Sequence, residues 1–271
     1  MKIKFLGTAA AEAIPALFCE CDLCQHVRKH GGKDIRTRSQ AVINDELLID
    51  FPADTYLHVL RDGLELHKIH HCIITHPHPD HYYPEDIVMR NPGFATVKDS
   101  TPFTLYGTEE TIKRLSEGRG LNFDRVALQE IHPFESFNAG DYNVTPLEAD
   151  HGTEKPVIYL ITKDNQTILY ANDTGYFPES TWKWLEENKP HIDFVEFDCC
   201  YGLLPQVTNH MGFDTVCDVK NRMVDMGLTD EKTIFCINHF SHNIGSLHNE
   251  LEKHAEKFGF IVAYDGLEVN I

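Results

Sequence analysis

Apolar and polar positions along this chain fall into two rhythms: short apolar runs rich in β-branched residues, and longer stretches with an apolar residue every third or fourth position. The first rhythm predicts strands at Lys2–Leu6, Gln40–Ile43 and Leu47–Asp50, the last two hinged at Asn44-Asp45. Ile69–Thr75 reads as a buried strand ending in a histidine-rich loop, His76–His81. Pro84–Met89 opens a helix, Phe103–Tyr106 is a strand and Glu109–Glu117 a helix. In the second half Tyr142–Leu147, Val157–Thr162 and Thr167–Ala171 are strands, with Asp164-Asn165 as the turn between the last two. A helix over Pro178–Asn188 starts near proline and carries Trp182 and Leu185 on its apolar side. Strand Phe194–Phe197, helix Thr215–Met226, strand Thr233–Ile237, helix Leu247–Lys257 and strands Phe260–Ala263 and Leu267–Asn270 follow. Both halves mix hairpins with helices, which predicts an α/β protein of two mixed sheets with helices outside. No repeat, low-complexity segment or shift in composition marks a boundary, so residues 1–271 read as one domain.

Composition narrows the class. Hydrophobic residues make up 42% of the 271, aromatics 10% and charged residues 24%, which supplies a sizeable core and excludes a disordered chain. No apolar run approaches the ~18 residues of a membrane helix. The start, MKIKFLGTAAAEAIP, has Glu12 and Pro15 where a signal peptide needs an apolar stretch, so the chain reads as cytoplasmic. Lys and Arg number 24 against 42 Asp and Glu, a net charge of −18. Without a basic stripe to release counterions, a long nucleic acid is excluded as partner. Most of the acids serve solubility, and some are free to bind metal.

Histidine is in excess, at 17. The densest chemistry is Thr75-His76-Pro77-His78-Pro79-Asp80-His81, a His-x-His-x-Asp-His run that a chain of this composition would produce by chance only about 0.005 times. Residues two apart in an extended loop face the same way, so His76 and His78 grip one ion together while Asp80 and His81 point toward a second. Further ligands stand at predicted strand ends, where clefts form in α/β proteins: Asp150-His151-Gly152, Asn172-Asp173-Thr174-Gly175 and His239.

Eight cysteines would suggest disulfides in a small secreted protein; in a long cytoplasmic chain a cluster points to metal. Cys19, Cys21 and Cys24 lie within six positions, suited to one tetrahedral Zn²⁺, with His242 as one candidate for the fourth ligand. Catalytic or free thiols are the alternative. Cys72 and Cys236 sit in apolar strands and read as core, whereas Cys199-Cys200 ends a strand near the presumed cleft.

With these residues in hand the chain resembles the metallo-β-lactamase superfamily. Within it, it is most similar to the phosphoribosyl cyclic phosphodiesterases of the carbon–phosphorus lyase pathway of phosphonate degradation. Leu6-Gly7-Thr8, the cysteine cluster, Asp173-Thr174 before Pro178-Glu179, Asp198-Cys199, Asn209-His210, His239-Phe240-Ser241-His242 and Asp265-Gly266-Leu267-Glu268 carry the likeness. It implies a four-layer αββα sandwich with a two-metal site on one edge. His76, His78, His151 and Asp173 would bind the first ion; Asp80, His81, His239 and the bridging Asp173 the second. Cys19, Cys21, Cys24 and His242 would hold a structural Zn²⁺, and a homodimer is implied too. His210 matches a candidate general acid, and Asp80 counts as catalytic as well as a ligand. The chain departs from the pattern at Ala9-Ala10-Ala11, Tyr82-Tyr83, Pro84, Asn91–Ser100 and Cys200-Tyr201, all of which reshape the pocket without removing a ligand.

The function implied is a metal-dependent hydrolase, foremost a phosphodiesterase of a small phosphoribosyl 1,2-cyclic phosphate-like substrate, using a hydroxide held between two divalent ions (Zn, Mn or Fe). The same ligands suit hydrolysis of a lactone, a thioester or an RNA phosphodiester, since hydroxide attacks carbon or phosphorus alike. A non-catalytic metal-binding protein is the reading from a different class.

Overall fold

The computed structural model describes residues 1–117 and 120–271. In the first half, strands β1 (Lys2–Gly7), β2 (Gln40–Ile43), β3 (Leu47–Ile49), β4 (His71–Ile73), β5 (Phe103–Gly107) and β6 (Val126–Glu130) alternate with helices α1 (Asp22–His30), α2 (Thr55–Asp62) and α3 (Glu109–Ser116). The second half holds β7 (Phe137–Ala139), β8 (Tyr142–Glu148), β9 (Val157–Lys163), β10 (Gln166–Ala171), α4 (Glu179–Asn188), β11 (Phe194–Asp198), α5 (Phe213–Asp225), β12 (Ile234–Asn238), α6 (His248–Ala255), β13 (Phe260–Val262) and β14 (Glu268–Asn270). These form two seven-stranded sheets, ordered β14-β1-β2-β3-β4-β5-β6 and β13-β12-β11-β10-β9-β8-β7.

Both faces of each sheet are covered, so their strands are apolar on both sides. Ile3, Phe5, Ile43 and Ile73 of the first sheet meet Val144, Tyr159, Ile168 and Phe194 of the second. The other face of the first sheet, through Leu6, Val42 and Leu105, packs with Leu64, Ile87 and Leu115. Leu169, Val195 and Ile237 of the second sheet pack under Leu23 and Val27 of α1, Trp182 of α4, Val216 and Val219 of α5 and Leu251 of α6. The predicted four-layer αββα sandwich is the observed architecture. The hinges Asn44-Asp45 and Asp164-Asn165 all take left-handed backbone, φ between 51 and 62°, which matches the twist of the strands they join.

Some elements differ from expectation. Pro84–Arg90 is a 3-10 helix, not an α-helix: Pro84 and Ile87, three apart, stack on the one buried edge that this tighter winding offers. α1, α2, β6 and β7 were not anticipated. In α1 only Leu23, Cys24 and Val27 are buried, too short an apolar stripe to stand out beside the cysteines. Among the described residues no helix is long and apolar enough to cross a membrane.

β3 to β6 run parallel, as do β10 to β13. Carboxyl ends of parallel strands in both sheets feed the loops that carry His76 to His81, Asp173 and His239, and the antiparallel β8 leads to His151. Behind them, α2 buries His58, whose ring is used on both sides: Nδ1 lies 2.6 Å from Gln40 Oε1 and Nε2 2.8 Å from Thr37 Oγ1. Burial, with the nearby Arg61 charge, pushes this imidazole down to about 3. An unfolded chain therefore takes up a proton below about pH 6.5 that the native ring refuses, and stability falls as pH drops from there toward 3. His58→Gln should remove about 1.4 kcal/mol per pH unit from that slope, measured as urea unfolding free energy between pH 6.5 and 4.5. An unchanged slope would show that other groups govern acid sensitivity.

Candidate metal centre

Three strand-ending residues set the frame: Asp50 after β3, Asp173 after β10 and His239 after β12, with φ of 65, 49 and 63°. A left-handed backbone is costly for residues with a Cβ and is concentrated at functional sites, because it turns a side chain out of the strand line. Next to Asp173, Gly175 is required by close approach: a Cβ there would sit 2.5 Å from both Asp150 Oδ2 and Val207 O.

The predicted ligands gather into two adjoining groups. In the first, His78 Nδ1 lies 3.0 Å from His76 Nε2 and 3.1 Å from His151 Nε2. In the second, Asp80, His81, Asp173 and His239 bring ligand atoms within 4.8 Å of one another. Asp173 stands between them: its Oδ2 is 2.5 Å from His81 Nε2, and its Oδ1 is 3.0 Å from His239 Nε2 and 3.8 Å from His151 Nε2.

Each ring is oriented from behind. Nδ1 of His81 faces Asp50 Oδ2 at 2.7 Å, Nδ1 of His239 faces Ser39 Oγ at 2.9 Å, Nδ1 of His76 faces Thr75 Oγ1 at 3.0 Å and Nδ1 of His151 faces the Asn209 carbonyl at 2.9 Å. Every one of these rings is left with Nε2 directed inward, as metal-binding imidazoles are. Asp50 and Ser39 were not singled out in the sequence; the signal for Asp50 was the aspartate ending the Leu47–Asp50 run. The donor set fits divalent cations. Three imidazole nitrogens meet at about 3 Å, with only protons to mediate between them, and His81 Nε2 and Asp173 Oδ2, both buried, face each other at 2.5 Å. Burial works against charge on both His81 and Asp173. It is outweighed by their neighbours: Asp173, Asp80 and Asp50 hold the His81 ring well above the usual imidazole range, and His239 and His81 hold Asp173 well below the usual carboxylate range. A metal ion held by these residues would take the place of the His81 proton.

His210 lies beside this centre. Its Nδ1 is 2.8 Å from Asp198 Oδ2 and 3.4 Å from Asp173 Oδ1. Burial lowers its affinity for a proton, but Asp198 more than offsets that and raises the ring to about 9. Two bound dications would draw it back toward neutrality. Asp198, whose Oδ1 also accepts from the Cys200 and Met211 amides, is the orienting partner that sequence reasoning noted only as part of the likeness.

The second predicted cluster is also assembled. Cys19, Cys21, Cys24 and His242 bring their ligand atoms within 4.8 Å of one another, with His242 Nδ1 3.5 Å from Cys19 Sγ and 3.7 Å from Cys21 Sγ. Cys21 caps α1 and accepts from the Cys24 amide, which together with His242 brings its thiol down to about 6. The four donors suit a tetrahedral Zn²⁺. Cys72, Cys199 and Cys236 are fully buried; Cys200, also buried, lines the cleft.

A family model described as a beta-lactamase superfamily domain matches residues 48–219. Ribonuclease Z of Listeria innocua serovar 6a is 27% identical over 180 residues, 63% of this chain and 52% of that protein. Coenzyme PQQ synthesis protein B of Methylorubrum extorquens is 26% identical over 145 residues, 48% of this chain and 44% of that protein. The chain thus spans about half the length of the curated relatives it matches. Among solved structures, a diphosphatase from the PhnP family superposes with a TM-score of 0.76 at 21% identity, covering 100% of this chain and 97% of that one. Zn²⁺-bound PqqB from Methylobacterium extorquens gives a TM-score of 0.71 at 18% identity, covering both chains fully, 100% each.

Proposed function

The chain belongs to the beta-lactamase superfamily, and we propose that within it the protein is a metal-dependent phosphodiesterase of small cyclic sugar phosphates. The observation that carries this reading is the convergence of two ligand groups on Asp173 with the His210–Asp198 pair directly beside them. His76, His78 and His151 would hold one ion, Asp80, His81 and His239 the other, and Asp173 both; Zn, Mn and Fe all suit these donors. Bound there, divalent ions supply Lewis acidity and bring the pKa of water from 15.7 toward about 7.

The chain's own residues do the rest. Asp50, Ser39, Thr75 and the Asn209 carbonyl fix the four inward-facing Nε2 atoms, so little reorganisation accompanies reaction. With Nδ1 donating to Asp198, His210 keeps its second proton on Nε2 and can pass it to the departing alkoxide, a step worth ~10²–10⁴ in rate. The cavity at this centre encloses about 320 Å³, room for a small ligand. Cys19, Cys21, Cys24 and His242 would hold a separate structural Zn²⁺.

Leaving groups test this reading. The metal-loaded protein should hydrolyse both bis(p-nitrophenyl) phosphate and an alkyl cyclic diester, and mild chelation should abolish both activities while the thiolate-held zinc remains. His210→Ala should slow the alkyl diester by ~10²-fold or more and the nitrophenyl ester far less, because nitrophenolate leaves without a proton. Equal losses on both would mean that His210 positions substrate and donates no proton. Hydrolysis of lactones or thioesters with neither phosphodiester would overturn the reading itself.

A further inference from the structure

Away from the candidate ligands and His210, the cavity wall offers an anion no cation. Glu12, Ser241, Asn243, Tyr201, Leu204 and Ile244 line it beside the candidate ligands, and no lysine or arginine is among the described residues that line it. Glu12 is fixed in place. The Ser241 hydroxyl donates to its Oε1, and that hydroxyl oxygen in turn accepts from the Asn243 backbone N–H at 3.1 Å and the Asn243 side-chain amide at 3.0 Å. His242 Nε2 stands 3.8 Å from the same Oε1. Glu12 Oε2 has no hydrogen bond among the described residues, and the side chain is 30% exposed.

We propose that Glu12, held by Ser241, is a specificity-determining acceptor for hydroxyl groups on the non-scissile part of the substrate, and that it selects cyclic sugar phosphates without a second phosphate. This rests on the phosphodiesterase reading and narrows it. A sugar hydroxyl donating to a fixed carboxylate makes a charge-assisted hydrogen bond. Tyr201 and Leu204 meanwhile offer apolar surface to the C–H face of a sugar ring. A second phosphate beside Glu12 would enter against like charge, in a protein of net charge −18, with no lysine or arginine on this wall to compensate it. The reacting phosphate itself is served by the metal centre, so only a further anion is rejected. The selection departs from the phosphoribosyl substrate implied by the family likeness, and it lies in the Ala9–Glu12 loop, where the sequence also departs.

Ribose 1,2-cyclic phosphate, its 5-phosphorylated counterpart and bis(p-nitrophenyl) phosphate, given to the metal-loaded protein, test this. The unphosphorylated sugar should show a kcat/KM roughly tenfold or more above the 5-phosphorylated one, with the difference in KM. Glu12→Gln keeps the shape and one acceptor oxygen but removes the charge, and it should narrow that ratio about tenfold while zinc per chain stays constant. A wild-type preference for the 5-phosphorylated sugar, or a ratio unmoved in Glu12→Gln, overturns the proposal. Should Glu12→Gln shed zinc, the wild-type ratio alone decides. No hydrolysis of any of the three substrates by well-loaded wild-type protein would instead overturn the phosphodiesterase reading.

Discussion

Asp173→Ala is expected to lower kcat/KM by about 10³-fold or more, beyond the 10–100-fold cost of losing an outer partner of a metal site. Asp173 is the carboxylate that meets His81, His239 and His151 together, so on the proposed reading its removal would take a donor from both ligand groups at once. It also leaves His81 with Asp80 and Asp50 as its remaining anionic partners. The fold should survive, because Asp173 lies in the loop after β10 and is no member of the apolar core clusters. Metal content, steady-state kinetics and thermal melting of the same preparation check this. Turnover within tenfold of wild type, with metal bound, would remove Asp173 from the centre.

Cys21→Ala is expected to act by the opposite route. One zinc per chain should be lost and the melting temperature should fall by about 10 °C, because a structural metal's binding energy is folding energy. The cluster anchors the segment between β1 and α1 to the loop after β12, where Ala10 N–H also donates to the Phe240 carbonyl at 3.1 Å. Activity should fall as a consequence of the loosened Ala10–Glu12 wall, with KM rising more than kcat falls. Full stability and zinc content with lost turnover would make the thiol cluster catalytic and reverse the assignment.

Much of this was legible in the sequence because its signals are local. The His76–His81 run needs only the two-residue repeat of an extended loop to present His76 and His78 together, and three cysteines in six positions converge with equally little help from the fold. Strands such as Gln40–Ile43 were legible because their apolar runs end at residues that accept left-handed backbone. The unanticipated elements are those whose signal is tertiary. β7 is three residues long and, among the described residues, pairs only with its hairpin partner β8, and α1 buries three side chains. The partners behind the rings were hidden for the same reason: Ser39 meets His239 across 200 positions, and nothing near either residue encodes the meeting. Glu12 is similar, a lone acid in an alanine-rich loop until Ser241 is brought to it.

The candidate ligands of the two groups come from different halves of the sandwich. His76 to His81 follow β4 of one sheet, while His151, Asp173 and His239 follow β8, β10 and β12 of the other. Ions bound between them would cross-link the two sheets, and metal supply then becomes a determinant of how long the protein lasts. By mass action, each ion at a free concentration a hundred times its Kd adds about 2.7 kcal/mol to stability. In a cell starved of such metals the emptied sites would lower stability and open the chain to proteolysis, so the abundance of this enzyme would report metal status alongside its turnover.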